Sequence, residues 1–259
     1  MKLWRFYKKV ISFSIAQLTI FRGAFIIFLA WLLLDALVKI FVFYAIFHQV
    51  KQIGGWTFQD SMLLVFFLGL IWDLAWTFFI TGFDRFTENF SKGAFDFVLL
   101  KPLNPLLYLT LTGFNAASFS GIRNLIIIYF IIFIPFTWHW QLVLLAIYFI
   151  ILALIILHAI YAICSALCFW IVEAQEIVYF LAHIVEGARY PQSIYSTTAR
   201  FIFTFIFPII VIANFPVLSL KGLISWQTIM LTTLTAIIFQ IIAHLIWRIG
   251  VKRYSSASS

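Results

Sequence analysis

The sequence predicts an all-α integral membrane protein with six transmembrane helices, an amphipathic helix at the amino terminus and one polar helical segment between spans. Three observations carry that expectation. Hydrophobic residues make up 64% of the chain, charged residues 10% and aromatic residues 20%, whereas about a quarter of a soluble domain is charged. Several apolar runs reach the roughly 20 residues that a helix needs to cross a hydrocarbon core. The in/out alternation of a barrel strand is absent, which leaves helices as the spanning structure.

Leu3, Phe6, Val10, Phe13, Ile20 and Phe21 recur at near-helical spacing beside Lys2, Arg5, Lys8 and Lys9, so residues 1–22 are expected to form a basic helix in the membrane interface. Span one is placed at Gly23–Phe47; it carries no small-residue cleavage site, so no removable signal is expected. A short outer loop with Gly54, Gly55 and Trp56 leads to span two at Ser61–Ile80. Next comes the polar island Thr81–Asn104, TGFDRFTENFSKGAFDFVLLKPLN, which holds Asp84, Arg85, Glu88, Lys92, Asp96 and Lys101. Its apolar positions Phe83, Phe86, Phe90, Ala94, Phe95, Phe97 and Val98 alternate with those charges. The pattern suits a short helix that presents aromatic side chains either to lipid headgroups or to a soluble partner.

After Pro105 a semi-polar helix rich in small residues precedes span three, at Ser118–Phe136, and the aromatic belt of Trp138, His139 and Trp140. Span four is placed at Gln141–Trp170. The stretch Ile171–Gly222 admits two readings. Hydropathy makes Phe201–Leu218 the fifth span, with Arg200 inside and Lys221 outside. In the other reading Glu173–Val185 crosses, and the later piece, broken by Pro208 and Pro216, is a re-entrant hairpin on the outer side, acceptable where protein covers it. Both readings give six spans, the last at Ile224–Ile249.

The net charge of +8 reports topology, and no nucleic-acid partner is expected. Lys2, Arg5, Lys8, Lys9 and Arg22 precede span one, Arg85, Lys92 and Lys101 lie in the island, and Arg248, Lys252 and Arg253 close the chain. By the positive-inside rule both termini and the island face the cytoplasm. The whole chain, residues 1–259, reads as one membrane domain whose cytoplasmic loop spans 82–105, with the lipid bilayer around it.

Motifs for chemistry are missing from the sequence: there is no phosphate-binding loop, no His-rich metal pattern and no G-x-S-x-G nucleophile turn. No catalytic residue, metal or cofactor is therefore expected on this chain, and any ATP-driven activity requires a second polypeptide. His48, His139, His158, His183 and His244 read as structural residues, and Cys164 and Cys168 as small buried hydrophobes. Asp35 and Lys39, four residues apart in span one, can pair on one helix face. Around Asp73 in span two the sequence carries no Lys or Arg between Lys51 and Arg85. These three either orient helices or line a translocation path; Arg123 is expected to snorkel to the interface.

The segment GAFDFVLLKPLNPL resembles the G-x-h-D-x-x-L-x-[KR]-P-h-x-P signature (h, apolar) in the first cytoplasmic loop of prokaryotic permeases of the type 2, export-type ABC transporter superfamily. ARYPQSIY and FIFPIIVIANFPVLSL are similar to two further stretches of that subgroup, so the resemblance covers nearly the whole chain. It implies a dimer of identical or related permease chains on two copies of a separate ATPase that binds ATP and magnesium. It also implies that the loop after span two is a coupling helix seated in an ATPase groove, with Gly93, Phe95, Asp96, Leu99, Lys101, Pro102 and Pro105 as its coupling residues. The implied activity is export of an unidentified drug, lipid or other amphiphile across a bacterial plasma membrane.

Physical reasons stand beside six of those seven positions. Gly93 permits a turn, Pro102 and Pro105 stop the helix, Phe95 suits a partner pocket, and Asp96 and Lys101 set register by charge. The rival reading is a self-contained secondary transporter using Asp35, Lys39 and Asp73 as an ion relay, against which stands the lack of a visible inverted repeat.

Overall fold

Long apolar runs become long helices in the computed structural model, which describes residues 2–20, 22–118, 139–171 and 175–254. Arg123, Trp138 and the expected third span beyond Ser118 lie outside them. The helices are Lys2–Ile20 (α1), Arg22–Gln49 (α2), Phe58–Ala75 (α3), Thr81–Phe90 (α4), Phe95–Leu99 (α5), Pro105–Thr112 (α6), Trp140–Ala166 (α7), Gln175–Val185 (α8), Thr197–Phe201 (α9), Ile209–Leu220 (α10) and Trp226–Arg253 (α11). Among the described residues there is no strand. Among the described residues four stretches are long and apolar enough to cross a membrane, Ile26–Gln49, Phe58–Phe90, Trp140–Phe169 and Trp226–Arg253, and the bent pair Thr197–Ile206 and Ile209–Leu220 would be a fifth if it were one span.

The core forms around α7, which packs against α3, α10 and α11. Its buried Ala146, Ala153, Ala159, Ala162 and Ala166 let neighbouring backbones approach, the usual basis of helix association in lipid. Polar contacts then fix the register of α11: Tyr148 shares a 2.5 Å hydrogen bond with Thr233, and the Trp247 indole donates to the Ala162 carbonyl at 2.6 Å. α2 lies at the periphery, touching α1 and α3 with little of its surface covered.

At one end of the bundle, α2 turns into α3 through Gly54 and Gly55, both at positive φ (56° and 81°), between Ile53 and Trp56, which exchange two 3.0 Å backbone hydrogen bonds. Such a turn favours glycine at both central positions. Thr57 and Asp60 then close a capping box on α3. The Asp60 carboxylate also accepts from Lys221 at 2.8 Å, and the Lys221 ammonium sits 5.5 Å from the Trp56 ring centre. We call this the loop end; the opposite, island end carries residues 91–104.

The structure departs from the hydropathy reading of Phe201–Leu218 as a span. α9, prolonged by a π-turn over Ile202–Ile206, meets α10 at 101°. Ser193 lies against Gly54 ahead of α9, and Lys221 pairs with Asp60 just after α10. The segment thus enters and leaves at the loop end, as a hairpin does. Trp170 adjoins Phe169 at the island end, so the traverse to the loop end runs along α8, whose 11 residues rise about 16 Å.

The break falls at Pro208, which has no N–H to continue the ladder, with Phe207 at φ −119° and ψ 79°. Pro216 corrects the expectation of a second break, because it lies inside α10. Every residue of α10 is buried, so neighbours compensate for the missing donor. Asn214, fully buried, clamps the hairpin: its side chain accepts from Gln192 N–H at 2.7 Å and donates to the carbonyls of Ala188 and Tyr190 at 3.4 and 3.2 Å.

Asp60→Ala is expected to cost about 2–3 kcal/mol, because it removes a cap and strands a half-buried ammonium. Thermal unfolding of D60A, K221M and the double variant checks this. Fully additive losses would mean that the ion pair itself contributes nothing.

Candidate functional site

The island is rooted in the longest helix and is not a free loop. Span two was expected to stop at Ile80; instead, helical structure runs from Phe58 to Phe90 through a π-turn at Trp76–Ile80. The wider turn leaves the Thr77 carbonyl to accept from Asn115 N–H at 2.8 Å. One turn later Gly82 meets Gly113 at the crossing of α4 and α6; a Cβ on Gly113 would lie 2.7 Å from the Phe79 oxygen and 2.9 Å from the Gly82 nitrogen.

Along α4 the buried side is Phe83, Phe86 and Thr87, while Arg85 and Glu88 are exposed. Gly93, at φ 74°, ends this helix by donating its N–H to the Phe90 carbonyl at 3.0 Å, the left-handed stop that glycine adopts without cost. α5 follows, and Lys101 and Pro102 form its exposed exit. Asn104 accepts from the N–H groups of Leu106 and Leu107, and Pro105 occupies the first turn of α6, where its missing N–H costs nothing.

Phe95 corrects the expectation of an aromatic anchor for a partner. Only 1% of it is exposed, and its ring sits among Phe86, Phe90, Phe169, Trp247 and Tyr254 with centroid separations of 5.0–6.5 Å. Three distant stretches of chain meet there: the island, the end of α7 and the end of α11. Gly250 permits the approach, since a side chain there would strike the Phe169 ring. The apolar surface turned outward is instead Phe97, Leu99 and Leu100, the last 78% exposed. The half-buried Asp96 carboxylate lies beside Tyr254, whose phenol pKa is raised first by burial and then by that negative charge.

α1 and the carboxyl-terminal end of α11 gather at the same end. The Ala116 N–H donates to Ser14 Oγ at 2.8 Å, and Phe6 stacks on Tyr108 at 6.0 Å. Arg5, Lys8 and Lys9 are exposed along α1, adding positive charge near the island.

The intramembrane charges lie elsewhere. Asp35 and Lys39 pair at 2.7 Å on peripheral α2, and Asp73 is buried in α3. His158 is held between Thr110 Oγ1 at 2.9 Å and the Gln240 amide at 3.0 Å. The amide donates to Nδ1, which leaves Nε2–H to face Thr110, so this ring is a satisfied strut joining α6, α7 and α11. Among the described residues both cysteines are free thiols and no cluster suits a metal ion.

Sequence reasoning missed Phe169, Trp247 and Tyr254, which complete the cluster. The sequence pattern turns Phe86 and Phe90 outward, to lipid headgroups or a soluble partner, whereas Phe86 is buried; nothing in the sequence pairs these rings with residues so far along the chain.

Helices of this length and apolarity, a hairpin folded into them and a polar segment at one end define a multi-pass α-helical membrane protein. The family described as ABC-2 family transporter protein matches residues 10–258, and the chain belongs to it. It is thus a membrane permease component of the ABC transporter kind, a transport part and not itself a catalyst. Comparison with curated proteins and with solved structures gives no match.

Proposed function

We propose that the chain is the membrane-spanning subunit of an ATP-driven exporter, and that residues 91–104 transmit work from a separate ATPase. The observation that carries this reading is the aromatic cluster. It joins an exposed tip bearing Phe97, Leu99, Leu100 and Lys101 to α7 and α11, so a force on the tip reaches two spans through close-packed rings. ATP and magnesium belong to the partner chain. A second permease, identical or related, completes the assembly in a bacterial plasma membrane, with six spans, α1 in the interface, and the island and both termini cytoplasmic. The cargo is a drug, lipid or other amphiphile.

Within the tip, Gly93, Pro102 and Pro105 shape the turn and Phe95 anchors it from inside. Asp96, Leu99 and Lys101 contact the partner together with Phe97 and Leu100. Asp35 and Lys39 already satisfy each other, which favours an orienting role over an ion relay.

The experiment is mild-detergent purification from native cells followed by mass spectrometry. A stoichiometric partner with a phosphate-binding loop is expected, and Leu100→Asp is expected to reduce its recovery about tenfold or more while leaving the unfolding temperature unchanged, as for removal of an interface hot spot. Repeated recovery of the permease alone, intact, would refute the reading.

A further inference from the structure

A cavity of about 340 Å³ opens between α9, α10 and the first turns of α11, near the loop end. Its walls divide by chemistry. Arg200, Thr197 and Thr228 line the polar part, and Phe205, Phe215 and Leu231 line the apolar part. Arg200 is the one ionisable side chain among the described lining residues.

The state of that guanidinium is the telling observation. Its Nε is buried without a hydrogen-bond partner, and its NH2 group makes one long contact, 3.4 Å, with the Tyr195 carbonyl. Among the described residues no carboxylate pairs with it. A guanidinium carries five N–H donors in a planar fork and stays charged, and a buried N–H of a cation needs an anion or water. The surrounding segment is held firmly: Thr204 Oγ1 donates to the Arg200 carbonyl at 2.7 Å, Ser196 caps α9, and Asn214 fixes the chain just ahead of it. Arg200 is therefore a positioned charge with most of its donors unused, facing a space with greasy walls.

We propose that this cavity binds the headgroup of an anionic amphiphile, a phosphate or carboxylate gripped by Arg200, with the first part of its apolar chain against Phe205, Phe215 and Leu231. The volume lies at the lower end of small-molecule sites, which suits a headgroup and the start of a chain better than a whole lipid. Charge-assisted bonds from a guanidinium to an oxyanion are the strong kind. The site concerns binding and is independent of any coupling to an ATPase.

The test uses the full chain, with whatever subunits accompany it, in nanodiscs of equal phosphatidylglycerol and phosphatidylcholine, and counts retained lipid by mass spectrometry. The wild type is expected to retain phosphatidylglycerol preferentially. Arg200→Gln is expected to cut that preference about tenfold (~1.4 kcal/mol), and Arg200→Lys to keep part of it. Leu231→Trp, which fills the mouth from α11 without touching the charge, is expected to reduce retention too, so the proposal stays testable if R200Q does not fold. Equal retention of the two lipids by the wild type, or a preference unchanged in both R200Q and L231W, would overturn it. Binding of inorganic phosphate that R200Q abolishes, without any phosphatidylglycerol preference, would assign the site to a free anion and overturn the amphiphile.

Discussion

Phe95→Ala is expected to destabilise the protein by about 3–5 kcal/mol, the range for deleting a fully buried aromatic ring. The ring is 1% exposed and touches five other aromatic side chains drawn from the island, α7 and α11. Its removal leaves a hole lined by rigid rings that cannot readily collapse. Phe97→Ala, two residues on and 69% exposed, is expected to change stability by about 0.5 kcal/mol or less while weakening partner recovery. Thermal unfolding of the purified variants in detergent separates the two roles. An F95A protein that melts like the wild type yet loses transport would place this ring in the partner's groove and remove it from the cluster.

Gly82→Ala is expected to cost about 3 kcal/mol or more, against a helix-propensity gain of about 1 kcal/mol for the same change in open helix. A Cβ on Gly82 would strike the Leu109 carbonyl oxygen and lie 3.0 Å from the Gly113 Cα. Both obstacles are backbone, so the crossing of α4 and α6 must open and the bond from Asn115 to Thr77 must stretch with it. Gly23→Ala is the matched control, because Gly23 faces open space inside α2 and is expected to be neutral or slightly stabilising. The comparison is read from unfolding temperature and yield; an unchanged Gly82→Ala protein would show that the crossing is looser than its geometry.

Much of the fold was legible because hydrocarbon imposes one rule, that apolar length means a span. Span one, expected at Gly23–Phe47, is α2 at Arg22–Gln49, and the span expected at Gln141–Trp170 is the helix Trp140–Phe169. The limits of span two were not legible. Gly82, Phe83 and Phe86 continue the buried face of α3 beneath a charged exterior, and charge marks the surface of a helix, not its end.

The hairpin was legible only as an alternative, because hydropathy counts apolar residues and is blind to the absence of an N–H at Pro208. Pro216 shows the converse limit: the same chemistry inside a helix walled by protein breaks nothing. At the island, the turn residues Gly93, Pro102 and Pro105 followed from local backbone physics. The inward orientation of Phe95 did not, since it depends on Phe169, Trp247 and Tyr254 arriving from other helices.

The run from Phe58 to Phe90 spans 33 residues, about 50 Å at 1.5 Å per residue. One terminus is bolted to the hairpin through Asp60 and Lys221, and the other carries the island. In the proposed exporter this helix is a connecting rod: axial or twisting displacement at the island is delivered to the hairpin without crossing a loop. The π-turn at Trp76–Ile80 interrupts the regular hydrogen-bond ladder along that rod, so in the proposed exporter any stroke between island and hairpin passes through it.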